Sequence, residues 1–396
     1  MLTALESPAC AVCRGSSHEI VQTQSLALLG KNMPCEIRFG ACRRCGHLQQ
    51  WPPVSPEVMA HHYQTFATYE LFGAPAELRV ASPSRHTRRF LSLAQDLGLA
   101  PGRAYEIGCA SGEMLNQFRR ERWQVRGCAP SPSAISQART IFDIVVDLGS
   151  EENTIPHQKD LDLILMCHVL EHLYDPAATL SRCYDALVPQ GHLLLEVPCA
   201  IAPDTLLPGW FSFEHLHYYR MDVLEWLLNQ AGFEIIELRI AMKVQHYPVI
   251  AIAARKTSRK ISTGINMDTA ASITMARRYV KRDTSLWSST ESRLSDIRGS
   301  IFLYGAGIHT AQLLDNTNLA EHADIIAIAD RDSKKWGQRL ASFPVIGPEE
   351  LLRHPQKAPI VISSYVSEQA IVRALLDRGV QPARIRTLYT DLAAIT

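Results

Sequence analysis

Residues 105–112 read Tyr-Glu-Ile-Gly-Cys-Ala-Ser-Gly, and this stretch constrains the fold more than any other in the 396-residue chain. Ala104, Tyr105 and Ile107 form an apolar lead-in suited to a buried strand. Gly108 and Gly112 frame a tight turn, and the residues after it have the character of a helix. Strand, glycine turn and helix in that order build a cradle for a nucleotide cofactor. Glycine admits close backbone approach, and the helix N-terminus presents free N–H groups. On its own the pattern also fits an ordinary strand-to-helix turn, so the rest of the chain has to decide.

The surrounding sequence repeats the same grammar. Strands are expected at 103–107, 124–128, 143–146, 161–166 and 191–196, with further candidates at 234–240 and 247–253. Helices are expected between them at 84–98, 113–121, 132–139, 175–187 and 221–231. This alternation predicts an α/β fold with a mainly parallel sheet covered on both faces. Residues 256–298 form a polar connector whose second half is periodic enough for a helix. Residues 299–396 then restart the pattern, with strands expected at 301–304, 325–329 and 359–363 and a Gly305-Ala-Gly307 turn. The domains predicted are 1–60, 61–255, 256–298 and 299–396, the last a second, smaller doubly wound unit. Its Asp330 follows the second strand, where a ribose-binding domain offers an acid. Lys334, Lys335 and Trp336 either face a phosphate there or form a solvated turn.

Lys+Arg and Asp+Glu are 40 each, which argues against a long nucleic-acid footprint. No run approaches about 18 apolar residues, so no membrane span is expected. The N-terminus MLTALESPAC lacks a basic region followed by an apolar one, which predicts no signal peptide and a cytoplasmic setting. There, 10 cysteines favour metal ligands and buried thiols over disulfides. Cys10-Ala-Val-Cys13 and Cys42-Arg-Arg-Cys45 are two C-x-x-C pairs about 30 residues apart, a spacing that supplies four thiolates to one tetrahedral Zn²⁺. Gly15 and Gly46 follow where the backbone must fold over the metal. Four sulfurs leave no open position, so the zinc is expected to be structural.

Downstream of the glycine turn lies Leu161-Asp-Leu-Ile-Leu-Met-Cys-His-Val-Leu-Glu-His-Leu-Tyr-Asp-Pro176, then a helix, then Leu187-Val-Pro-Gln-Gly191 and an apolar strand. The order of these three segments resembles class I S-adenosylmethionine (SAM)-dependent methyltransferases. The resemblance implies a Rossmann-like fold and SAM as cofactor. By it, Glu106 supports the loop, and Gly108, Cys109, Ala110 and Gly112 approach the amino-acid end of SAM. His168 either opens onto the cofactor or is a buried strand-end histidine, and Glu171 and His172 are expected to shape the following turn. The family usually holds the ribose with an acid about 20 residues beyond the glycine turn. Ala129 stands there, leaving backbone groups, Ser131 or Asp147 to hold SAM, or a non-catalytic methyltransferase-like binding protein.

A four-cysteine N-terminal segment, a SAM domain and a C-terminal nucleotide-type fold together resemble the sugar C-methyltransferases, which methylate a carbon of nucleotide-linked deoxyketosugars. The local motif is Phe211-Ser-Phe-Glu-His-Leu-His-Tyr-Tyr-Arg220. The resemblance implies His215 as base and Glu214 as its partner or a sugar ligand. Removing the proton beside a ketone suits a histidine with pKa near its usual ~6.5. Tyr63 falls where the family places an aromatic segment over the site, or packs at the exit of the cysteine segment. Ser212 stands where those enzymes tend to carry a tyrosine. Ala241-Met-Lys-Val-Gln-His-Tyr-Pro248 replaces an expected glycine-rich segment, so His246 and Tyr247 are further candidate substrate contacts. The alternative is an O- or N-methyltransferase of a polysaccharide or natural-product pathway.

Overall fold

A computed structural model describes residues 8–30, 35–65, 83–200, 209–244, 247–258, 268–365, 367–390 and 392. The chain forms two compact units. The first comprises Met1–Glu19, Gly40–Ala202 and Glu214–Ile273; the second comprises Ile20–Phe39, Pro203–Phe213 and Thr274–Thr396. The cysteine pairs fall in the first unit. Cys10, Cys13, Cys42 and Cys45 share a buried cluster with Tyr105, Ile107, Met166 and Leu195.

The strands in chain order are β1 (His18–Leu26), β2 (Cys35–Cys42), β3 (Leu48–Gln50), β4 (Arg103–Ile107), β5 (Gln124–Ala129), β6 (Val146–Leu148), β7 (Leu161–Cys167), β8 (Leu187–Pro198), β9 (His217–Tyr218), β10 (Phe233–Val244) and β11 (Tyr247–Lys256). Seven of them form one sheet in the order β10-β11-β8-β7-β4-β5-β6. Strands β4 to β8 run parallel. Strand β11 enters antiparallel to β8, and β10 antiparallel to β11, so the sheet is mixed. Leu163, Ile164, Leu165 and Met166 of β7 are each fully buried, as a central strand covered on both faces requires. Helices Arg85–Asp96, Glu113–Arg120, Pro132–Phe142, Pro176–Ala186 and Met221–Ala231 supply the cover. From β4 the chain winds outward to β5 and β6 on one side and to β7 and β8 on the other. The topological switch point, where ligands bind open α/β sheets, thus lies at the C-terminal ends of β4 and β7.

The second unit holds β12 (Gly299–Tyr304), β13 (Ala323–Ala329), β14 (Arg339–Leu340), β15 (Phe343–Ile346), β16 (Ile360–Ile362) and β17 (Ile385–Arg386), in the order β14-β15-β13-β12-β16-β17. All pair in parallel except β14 with β15. The acid after β13 turns inward. Asp330 Oδ2 accepts the Ala306 N–H (2.7 Å) and pairs with Lys335 Nζ (3.2 Å), and Oδ1 accepts the Asp332 N–H (2.8 Å). The carboxylate thus pins the glycine turn itself and is already engaged where a ribose contact was expected. Among the described residues no helix is long and apolar enough to cross a membrane.

Candidate functional site

The turn after β4 is held open by backbone that glycine alone adopts cheaply. Gly108 has φ +69°, and a Cβ there would meet Val169 Cγ2 at 2.5 Å. Gly112, with φ +78°, is the N-cap of helix Glu113–Arg120 and offers no side-chain cap; within the first turn the Leu115 N–H is taken by the Glu106 carboxyl. Gly108, Ala110, Ala129, Ser131 and His168 meet on the wall of a cavity of about 310 Å³ at the switch point. That volume lies at the lower end of small-molecule sites, roughly 300–1,000 Å³. Glu106, Cys109, Gly112 and Asp147 do not line the cavity. Glu106 is 4% exposed with Oε2 unpartnered among the described residues, and burial pushes its carboxyl up to about 8. Asp147 is committed to Arg126 (3.0 Å) and to the Tyr105 hydroxyl (3.4 Å), so it is not presented to the cavity.

Ala129 closes β5 and is buried, so no carboxylate reaches the cavity from that strand end. Ser131 caps helix Pro132–Phe142 by accepting the Ala134 N–H. Acidic groups instead reach the wall from the short helix Glu151–Thr154 after β6, where Ser150, Glu151 and Glu152 line it. Glu151 accepts from Thr179 Oγ1 (3.2 Å), and burial raises its pKa.

Opposite the glycine turn stands a network of histidines and carboxylates. His168, at φ +53° beyond β7, donates from Nδ1 to Glu171 and from Nε2 to Glu196, both at 3.2 Å. Burial pulls this imidazole down, but its bonds to the two carboxylates outweigh that and push it up to about 9. Glu196 on β8 is fully buried. It also accepts from His86 and from Arg89 Nε (2.6 Å), partners that hold its pKa down against burial. His172 lines the cavity and donates from Nδ1 to the Glu214 carbonyl (2.9 Å), with the Tyr63 hydroxyl 3.0 Å from the same nitrogen. Tyr63 reaches the wall from helix Pro56–Thr65. The Glu214 carboxylate pairs with His62 (2.6 Å), and this outweighs burial to hold its pKa down to about 2. His215 stacks edge-on against His172 at 5.0 Å. Burial and that neighbour lower its pKa to about 4, and its Nδ1 has no partner among the described residues. Tyr247 lies 6.1 Å from the His168 ring and 6.3 Å from that of His215; His246 is outside the described residues.

His62, His86, Arg89 and Glu196 join this network without a sequence signal that singles them out. His172 had one, its adjacency to Glu171, but that reads equally as a turn. The others come from elements more than 100 residues from their partners.

The four cysteines converge as their spacing suggests. Cys10 and Cys45 Sγ are 3.7 Å apart, Cys13 and Cys42 Sγ 3.5 Å, and all four lie within 4.8 Å of one another. A tetrahedral ZnS₄ centre with bonds of about 2.3 Å places its sulfurs about 3.8 Å apart, so the donor set fits that metal. The N–H groups of Gly15 and Arg44 point at Cys13 and Cys42 Sγ (3.4 Å each), the outer hydrogen bonds such thiolates use.

Residues 79–238 match a family described as "Methyltransferase domain". The chain is similar to the ubiquinone biosynthesis O-methyltransferase of Rhodopseudomonas palustris strain TIE-1, with 30% identity over 146 residues, 35% of this chain and 54% of that protein. With the counterpart from strain BisB5 it shares 28% identity over 193 residues, 44% of this chain and 73% of that protein. The chain thus spans between about half and three quarters of the length of these curated relatives. Among solved structures, an S-adenosylmethionine-dependent methyltransferase from Mesorhizobium loti superposes with TM-score 0.37 and 16% identity, over 42% of this chain and 97% of that one. Magnesium protoporphyrin IX methyltransferase from Synechocystis with bound SAH gives 0.38 and 12%, over 51% and 99%. On the family match, residues 79–238 carry a methyltransferase domain.

Proposed function

We propose that the chain transfers a methyl group from SAM to a small acceptor held beside the histidine–carboxylate network. The observation that carries this is the meeting of the glycine turn, Ala129 and Ser131 with His168, His172 and Tyr63 on one cavity wall at the switch point. When bound, SAM supplies an electrophilic methyl group. The Gly108–Gly112 backbone and Ser131 would hold it, with Glu151 and Glu152 taking over polar contacts that Ala129 does not offer.

The proposed acceptor is sugar-like, a carbon next to the ketone of a nucleotide-linked deoxysugar. The support is the FSFEHLHYYR segment and the pairing of a cysteine quartet with a second nucleotide-type unit. Activation of the acceptor is assigned to His215, with Glu214 as its partner or a sugar ligand and Tyr63 as a further site residue; Glu214 is paired with His62 and Tyr63 with His172. The relatives' names favour a second reading, methylation of an acceptor oxygen. The cysteine quartet is proposed to hold a structural Zn²⁺ through Cys10, Cys13, Cys42 and Cys45.

Calorimetry with SAM and its demethylated product tests the first claim; no binding at millimolar concentration removes it. Mass spectrometry of reactions with a panel of nucleotide ketosugars and of phenolic acceptors separates carbon from oxygen methylation. His215→Ala should abolish turnover with SAM affinity intact, and retained activity would move the chemistry elsewhere.

A further inference from the structure

Three side chains beside the cavity have ligand atoms that the protein does not use. Glu171 is 1% exposed. Its Oε1 is engaged by His168 Nδ1, whereas its Oε2 has no partner among the described residues. His215 Nδ1 is likewise buried without a partner. His172 donates its Nδ1–H to the Glu214 carbonyl, which leaves the Nε2 lone pair, 3.8 Å from Glu171 Oε1, as an acceptor. One ligand atom from each of the three lies within 4.8 Å of the other two.

We propose that Glu171, His172 and His215 bind one divalent transition-metal cation, which activates the methyl acceptor. This rests on the reading that the acceptor is activated beside His215, and it names the agent. At the centre of an equilateral triangle of the stated side a cation lies about 2.8 Å from each donor, and bonds of about 2.0–2.2 Å need only a small contraction. Two imidazoles and one carboxylate on one side of an ion leave its other positions open. His172 lines the cavity, so those positions can take an acceptor oxygen. The outer hydrogen bonds are already built. A carbonyl fixes the His172 tautomer, and His168 fixes the Glu171 carboxylate. As a Lewis acid the cation would draw charge from the acceptor oxygen. The acceptor's proton is then lost to water, and the electron pair left behind attacks the methyl carbon as its bond to sulfur breaks.

Mn²⁺ is the probe, because thiolates disfavour it and its paramagnetic resonance reports coupled imidazole nitrogen. Zinc-replete protein should bind about one Mn²⁺ per chain with nitrogen coupling. Glu171→Gln and His215→Gln should each weaken that binding at least tenfold. His215, less buried than Glu171, keeps the test valid where the Glu171 variant fails to fold. Methyl transfer should rise with added Mn²⁺ and fall in both variants. Absence of nitrogen-coupled Mn²⁺, or equal binding in a folded His215→Gln variant, overturns the metal site. Loss of turnover in His215→Ala without any dependence on Mn²⁺ also overturns it and leaves the imidazole acting alone. Failure of SAM to bind overturns the methyltransferase reading instead, whatever Mn²⁺ does.

Discussion

Ala129 gives the most direct test of how this site holds its cofactor. It ends β5, is 1% exposed, and lines the cavity beside Ser131. Ala129→Glu places a carboxylate where the ribose hydroxyls of SAM are expected. A hydrogen bond to a charged group contributes about 1.5–3 kcal/mol, equivalent to roughly 10- to 150-fold in Kd. Two effects reduce that gain. The new charge loses hydration at a buried strand end, and Glu151 and Glu152 on the same wall repel it. The expected outcome is SAM binding about tenfold tighter by titration calorimetry. The ligand-free variant should melt earlier, by an amount equivalent to about 1 kcal/mol. A folded variant with unchanged or weaker SAM affinity would refute the placement of the ribose at this strand end.

Three further outcomes are expected. Elemental analysis should find about one zinc per chain; Cys42→Ser should lose it and lower the melting temperature sharply, because the four sulfurs sit within the main core. Gly108→Ala should destabilise the protein by about 2 kcal/mol in urea unfolding and weaken SAM binding, since its φ of +69° is strained for alanine and its Cβ would meet Val169. Asp283 in the second unit is 3% exposed, and burial pushes its carboxyl from 3.8 up to about 6. A raised carboxyl contributes its stability below the unfolded value and loses it as pH rises through the folded one. Asp283→Asn, which can still accept the Gly209 N–H, should therefore be about 1–3 kcal/mol more stable than wild type at pH 7, with no gain at pH 3. An equal effect at both pH values would remove the burial argument.

Much of the fold was legible because its signals are local. Strand β4 and the turn at Gly108 and Gly112 announce themselves in a handful of residues, and helix Met221–Ala231 occupies the span its periodicity predicts. The cysteine pairs were legible for the same reason, since each pair is a four-residue pattern. Less visible were β1, β2 and β3, strands with polar residues between the apolar ones, and the antiparallel pairing of β11 with β8. Pairing direction leaves no mark on the residues of a strand buried on both faces.

The sequence by itself determined an α/β chain with a glycine-turned cofactor cradle, a cysteine quartet, and an alanine where an acid is usual. Tertiary structure alone decided what surrounds them. It joined Glu196 to His86 and Arg89, Glu214 to His62, and His172 to His215, and it turned Asp330 back onto its own glycine turn. The physical reason is that a side chain's chemistry belongs to its neighbours in space. Burial and facing charges set whether an imidazole is protonated or a carboxylate is free, and neither can be read from the residues beside it in the chain.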